Sequence, residues 1–228
     1  MNATNKYENH STMTSIKAFR LEPLVDTARN ERFGYEVLSS LDTDLSVDDW
    51  FDVQEPAFLI SLLKKQLLRI NDFSNKVDAK FFYNISVGAM LSISPEDIYF
   101  IASYKKINLE ISDAYRIKFL SALTQHTLFS QIKQFRLRGV DVWVDDFTYD
   151  DLPMIYDYYG QFDGIKLAKS ELHAPWLRKE LDIMRRVMGN IPLLIEGVET
   201  GDDLGIIKKC LITFAQGYYW QSYIIAMK

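Results

Sequence analysis

Seven acidic or amide side chains and one lysine interrupt the apolar runs of this sequence. Glu36 sits in GYEVL, Asn84 in FFYNIS, Glu110 in INLEIS, Lys166 in GIKLA, Glu196 in LLIEGV and Gln216 in FAQGYY. Asp145 and Asp146 close VWVDDF, and Glu199 follows just beyond Glu196. A carboxylate buried among apolar neighbours is costly, so these groups need partners. Oxygen donors around one lysine, with no histidine or cysteine nearby, suit a hard cation such as Mg²⁺ or Mn²⁺ better than zinc. Asp145 and Asp146 could bridge or serve two such ions roughly 3.5–4 Å apart, an arrangement that activates water and stabilises a phosphoryl transition state. Lys166 would then hold the water or a phosphate oxygen. Each residue also has a plainer use: Asp145 and Asp146 as helix caps, Asn84 in a turn, Lys166 in a salt bridge, Glu110 on the open face of a half-exposed strand. At about one per successive strand, they favour a site when taken together.

The elements that must position them alternate. Strands are expected at 17–26, 32–38, 80–86, 106–112, 140–147, 164–168, 192–198 and 213–220. Within 50–71 a helix is expected to open near Pro56, and others are expected around 94–96 onward and at 117–138, 152–159, 174–188 and 202–209, Gly139 closing the one at 117–138. Strands alternating with helices imply parallel crossovers and an α/β fold, and eight candidates in this length suggest a barrel. In such a barrel the strand C-termini converge on one mouth. Residues 27–31 are too short for a parallel crossover, so one of the first two strands runs antiparallel.

The chain has 228 residues, 48% hydrophobic and 25% charged, which is globular composition for one domain. Its 26 basic and 31 acidic residues give a formal net charge of −5, so direct nucleic-acid binding is not expected. The single cysteine, Cys210, excludes an internal disulfide, and His10, His126 and His173 lack zinc spacing. No run is apolar enough for a membrane helix. Residues 1–16 read as a disordered polar tail without a signal peptide's apolar core, leaving 17–228 as one domain and a cytoplasmic location as the default.

These motifs resemble the EAL domain of cyclic di-GMP signalling across about residues 19–223. The namesake triplet stands as Glu36-Val37-Leu38, DDF as Asp145-Asp146-Phe147, EGVET as 196–200 and QGY as Gln216-Gly217-Tyr218. Asn84, Glu110 and Lys166 match its strand-end asparagine, second glutamate and lysine. The resemblance implies a modified TIM-type (β/α)8 barrel with one antiparallel strand near the N-terminus. It implies a phosphodiesterase that opens cyclic di-GMP to linear pGpG with two Mg²⁺ or Mn²⁺ ions. Glu36, Asn84, Glu110 and Asp145 would bind one ion and Asp145 with Asp146 the other. Lys166 and Glu196 would handle the water, with Glu199 and Gln216 supporting metal and substrate.

Departures fall around those residues. The glycine-rich loop after DDF reads Thr148-Tyr149-Asp150-Asp151, without its glycines, so any positive φ needed there would be strained. The glutamate that steadies that loop is Asp113, the substrate-binding glutamine near the start is Glu22, and the arginine after the triplet gives way to Ser39-Ser40. Ser222-Tyr223 replace the basic-proline pair after QGY. A second reading follows: a degenerate regulator that binds a protein, such as the flagellar master transcription regulator, to control motility. Tyr149, Tyr156, Tyr158 and Tyr159 would supply its binding face or pack on the barrel. A homodimer is compatible with either reading.

Overall fold

The computed structural model describes residues 13–226. A 3-10 turn (Met13–Ser15) leads into β1 (Ile16–Asp26), which returns as β2 (Glu31–Leu41). There follow α1 (Val47–Asp52), α2 (Pro56–Ser74), β3 (Lys80–Ile85), α3 (Val87–Ser92), α4 (Pro95–Ala102), β4 (Ile107–Ile111), α5 (Ala122–Arg136) and β5 (Asp141–Phe147). The second half runs α6 (Ile155–Tyr158), β6 (Gly164–Leu167), α7 (Leu177–Met188), β7 (Leu193–Ile195), α8 (Gly201–Cys210), β8 (Phe214–Gln216) and β9 (Tyr223–Ala226). Among the described residues no helix is long and apolar enough to cross a membrane.

Strands β2 to β8 pair in chain order and in parallel. β1 closes the barrel, antiparallel to β2 on one side and to β8 on the other. Eight strands therefore close on themselves as expected. β9 is the addition that the sequence pattern did not show: Tyr223 to Ala226 pair with Leu21 to Ala18, on the edge of β1 that β8 leaves free. Its residues are mostly exposed, so it lacks the apolar alternation that marks a half-buried strand. The first twelve residues of the expected tail lie outside the described residues, while its last four are placed, with Ile16 buried in β1.

Helix starts follow local chemistry. Ser86, Ser94, Ser121 and Thr200 each accept a backbone N–H of the first turn they precede, and Ser94 and Thr200 form reciprocal boxes with Asp97 and Asp203. The helix expected to open near Pro56 does so as α2, with Pro56 in its first turn, and the short α1 precedes it. The expected helix at 117–138 begins at Ala122, after a 3-10 turn (Ala114–Phe119), because Ser121 caps there.

The barrel interior has two layers. At the floor, Leu24, Phe82, Trp143 and Leu194 pack with Phe33 and Phe214. Phe82 and Trp143 meet edge to face at 5.3 Å, a favoured aromatic geometry. Gly164 makes room for them, since a Cβ there would lie 2.3 Å from the Trp143 ring. One pleat higher on these strands, alternation turns polar residues onto the same inner face. The outer faces pack under helices through residues such as Leu63 and Ile70 of α2, Ile132 of α5 and Met184 of α7.

Candidate active site

Lys166 is the centre of the polar layer. It is fully buried on β6, and its Nζ lies 2.9 Å from Glu196 Oε1, 3.0 Å from Asp145 Oδ1, 3.2 Å from Glu110 Oε2 and 3.3 Å from Glu36 Oε2. Four strand ends thus deliver four carboxylates to one ammonium. Burial would lower the Lys166 pKa, but these carboxylates outweigh it and hold it well above its ordinary value. The four carboxylates thus favour the charged form of Lys166.

Consecutive strand residues normally face opposite sides, so Asp145 and Asp146 could not both reach the mouth from a regular strand. The pairing of β5 with β6 shifts register between Val144 and Phe147, and Asp146 adopts φ 52°. Aspartate tolerates this left-handed conformation better than most residues. The bulge turns both carboxylates inward. Carboxylate oxygens of Glu36, Glu110 and Asp145 come within 4.8 Å of one another, and so do those of Asp145, Asp146 and Glu196. Asp145 belongs to both groups. The capping use of this pair is not realised, because the following 3-10 turn (Tyr149–Met154) is capped by Thr148 and Asp151.

Glu36 holds the near side together. Asn84 Nδ2 donates to its Oε1 at 2.6 Å, and Gln216 Nε2 donates to its Oε2 at 2.6 Å. Burial raises the Glu36 pKa, but Lys166 and these two amides outweigh burial and set it below its ordinary value. Glu110 shows the opposite balance. Burial lifts it well above the usual range in spite of Lys166, with Glu36 and Asp145 adding repulsion. Burial first, with Glu196 and Glu36 adding, takes Asp145 to about 7 against the opposing pull of Lys166. Burial, then Asp145, takes Asp146 to about 6, and burial also raises Glu196. One ammonium does not satisfy this many carboxylates. Glu110 Oε1 is buried without a hydrogen-bond partner. An all-oxygen donor set with surplus negative charge and an orphaned carboxylate oxygen fits a hard divalent cation.

The sequence-expected residues divide by position. Glu36, Asn84, Glu110, Asp145, Lys166, Glu196 and Gln216 form one hydrogen-bonded or ion-paired group, with Asp146 against it. Glu22 joins through Gln216 Nε2 at 3.0 Å. Glu199 stands aside, ion-paired to Lys169 at 2.5 Å. Glu110 faces inward and is fully buried, not on an open strand face. Asp113 accepts the Val87 N–H at the start of α3 at 2.6 Å and pairs with Arg116 at 3.4 Å. Among the described residues it makes no hydrogen bond or ion pair to residues 148–151. Except for Glu110 and Lys166, which lie beneath it, these groups line a cavity of about 670 Å³, ordinary for a small-ligand site. Sequence reasoning passed over Arg20 and Lys169, which also line it. Arg20, two residues before Glu22 on a strand, carried the only usable signal.

The loop after Asp146 is not strained. Residues 148–151 have no positive φ, because a 3-10 turn replaces a glycine-dependent path. Its Tyr149 packs on Trp176, with ring centroids 5.6 Å apart, and accepts from Lys179 at 3.2 Å. Of the four tyrosines expected as one face, Tyr156 and Tyr159 are exposed, whereas Tyr158 is core and donates to the Ala114 carbonyl.

Trp176 donates to Glu171 at 2.7 Å, and Glu171 neighbours the fully buried Glu180 of α7. Burial, then Glu171, pushes the Glu180 carboxyl from 4.5 up to about 8. The folded chain thus keeps a proton near neutrality that the unfolded chain releases. That contribution is full below about pH 4.5 and is lost as pH rises towards about 8. Glu180→Gln should flatten this slope, so its stability relative to wild type should rise from pH 5 to pH 8. Urea denaturation from pH 5 to 8 reads it: the advantage of the variant should grow with pH, and parallel curves would contradict it.

A family model described as the EAL domain matches residues 17–223. No match was found among curated proteins. Among solved structures, the BlrP1 calcium and cyclic di-GMP complex from Klebsiella pneumoniae superposes with a TM-score of 0.74 at 16% identity. That match covers 94% of this chain and 60% of the Klebsiella chain. A manganese and cyclic di-GMP complex of the same protein gives 0.73 at 16% identity, over 95% and 61% of the two chains. An EAL-domain protein from Listeria monocytogenes gives 0.70 at 20% identity, over 94% and 90%. The barrel, its single reversed strand and the matched motifs lead to one conclusion: this chain belongs to the EAL-domain family.

Proposed function

We propose that this chain is a cyclic di-GMP phosphodiesterase that opens its ligand to linear pGpG with two Mg²⁺ or Mn²⁺ ions. The observation that carries the reading is the pair of carboxylate groups sharing Asp145. Glu36, Glu110 and Asp145, with Asn84, would hold one ion, and Asp145 with Asp146 the other. Bound there, such ions supply Lewis acidity at the phosphoryl group and lower the pKa of water. Lys166 orients the water or a phosphate oxygen. Glu196 is the most open of the four carboxylates on Lys166, so it accepts the proton of the water. A water oxygen–phosphorus bond forms, the bond from phosphorus to the 3′ oxygen breaks, and that oxygen takes a proton from solvent and leaves as a hydroxyl. Gln216 and Glu22 face the ligand, and Glu199 holds Lys169 at the rim. A cytoplasmic location belongs to this reading.

The test is incubation with cyclic di-GMP and Mn²⁺, followed by chromatography. The wild-type chain should accumulate pGpG, and Glu196→Gln should slow it about 100-fold. Intact cyclic di-GMP after long incubation would overturn the reading.

One observation favours the second reading, a regulator acting through a protein partner: Tyr156 and Tyr159 both stand exposed near the altered loop. A motility phenotype that survives loss of Glu36 but not of these tyrosines would establish it.

A further inference from the structure

The cavity is strongly acidic. Among the described residues lining it are nine carboxylates and two cations, Arg20 and Lys169. A dianionic cyclic dinucleotide must find positive charge there. Cations bound at Asp145 account for the phosphodiester that reacts, whereas the other phosphodiester of the ring also needs a partner. Lys169 is engaged by Glu199 and stands largely in solvent.

Arg20 differs. It lies on β1 two residues from Glu22, so both project from the same strand face, which at Glu22 is the barrel interior. Because β1 runs antiparallel, Arg20 stands nearer the mouth than Glu22. Its Nη2 is 2.8 Å from Glu22 Oε1, while Glu22 Oε2 accepts from Gln216, which also donates to Glu36. The Arg20 side chain is about one-third exposed and lines the cavity, so a ligand can reach it. Its planar donor fork matches two phosphate oxygens.

We propose that Arg20 binds the phosphodiester that is not cleaved, and that Glu22 holds Arg20 back in the free protein. Glu22 is then a regulator of affinity and not merely a misplaced negative charge. The proposal rests on the phosphodiesterase reading and deepens it.

Calorimetric titration of cyclic di-GMP in Ca²⁺ tests it with five proteins: wild type, Arg20→Ala, Arg20→Lys, Glu22→Gln and the Arg20→Ala, Glu22→Gln double variant. Arg20→Ala should weaken binding about tenfold or more, and Arg20→Lys should recover part of that loss. Glu22→Gln should tighten binding several-fold, and that gain should shrink sharply when Arg20 is also removed. Unchanged Mn²⁺ binding in each variant confirms an intact barrel mouth. Equal affinities in wild type and Arg20→Ala would overturn this proposal alone. So would a Glu22→Gln gain that is fully retained without Arg20. No binding by the wild-type chain would overturn the phosphodiesterase reading, and this proposal with it.

Discussion

Lys166→Met should strongly destabilise the barrel. Four carboxylates lie within 3.3 Å of the Lys166 ammonium, and three of them are otherwise buried. Removing one partner of a buried ion pair costs about 3–5 kcal/mol, because the remaining charge has no compensation. Some of that cost will be relieved by proton uptake at Glu110 and Asp145, whose pKa values are already raised. The variant should therefore melt well below wild type in chelator. Mn²⁺ should return part of the difference, since a cation at the same carboxylates replaces the missing charge. Turnover should fall by roughly 10²–10³-fold even with saturating Mn²⁺, because the fixed positive charge at the reacting phosphate is gone. Thermal denaturation with and without Mn²⁺ reads the first effect, and initial rates read the second. Unchanged melting in chelator would show that Lys166 is not the counter-charge of this cluster.

Glu36→Ala should abolish hydrolysis by a different route. Glu36 accepts from Asn84 and Gln216 and pairs with Lys166, so its removal frees two amides and, on the proposed reading, strips one cation ligand. The freed amide donors cost about 1–3 kcal/mol if they find no water or new partner. Mn²⁺ affinity should drop at least tenfold and pGpG formation should become undetectable. Because Tyr156 and Tyr159 lie outside this network, the same variant separates the two functional readings in cells. A phosphodiesterase loses its phenotype together with its activity. A phenotype that persists at wild-type strength would assign the cellular role to a protein-binding surface.

Much of this site was legible because polar residues inside apolar strands are conspicuous. Glu36, Glu110 and Lys166 each interrupt a run that would otherwise be plain core, and the fold brings all three within hydrogen-bond reach. The barrel followed from alternating elements, and the reversed strand followed from the short turn after β1. Three features were not legible. The bulge that aims Asp146 inward is a backbone event, and no residue type between Val144 and Phe147 announces it. β9 pairs through its backbone while its side chains face solvent, so no hydrophobic alternation marks it. Asp113 was expected to steady the loop after DDF, but its carboxylate reaches the start of α3, a long-range choice that spacing cannot encode. The anticipated strain in that loop also disappeared, because Thr148 and Asp151 close a capping box that needs no glycine.

The central claim is that Asp145 is shared between two cation sites at the barrel mouth. Calorimetric counting of Mn²⁺ bound to metal-free protein, in the presence of a non-hydrolysable cyclic dinucleotide, tests it most directly. The account predicts two ions per wild-type chain and weakening of both in Asp145→Asn. A single ion, or two ions indifferent to Asp145→Asn, would contradict it.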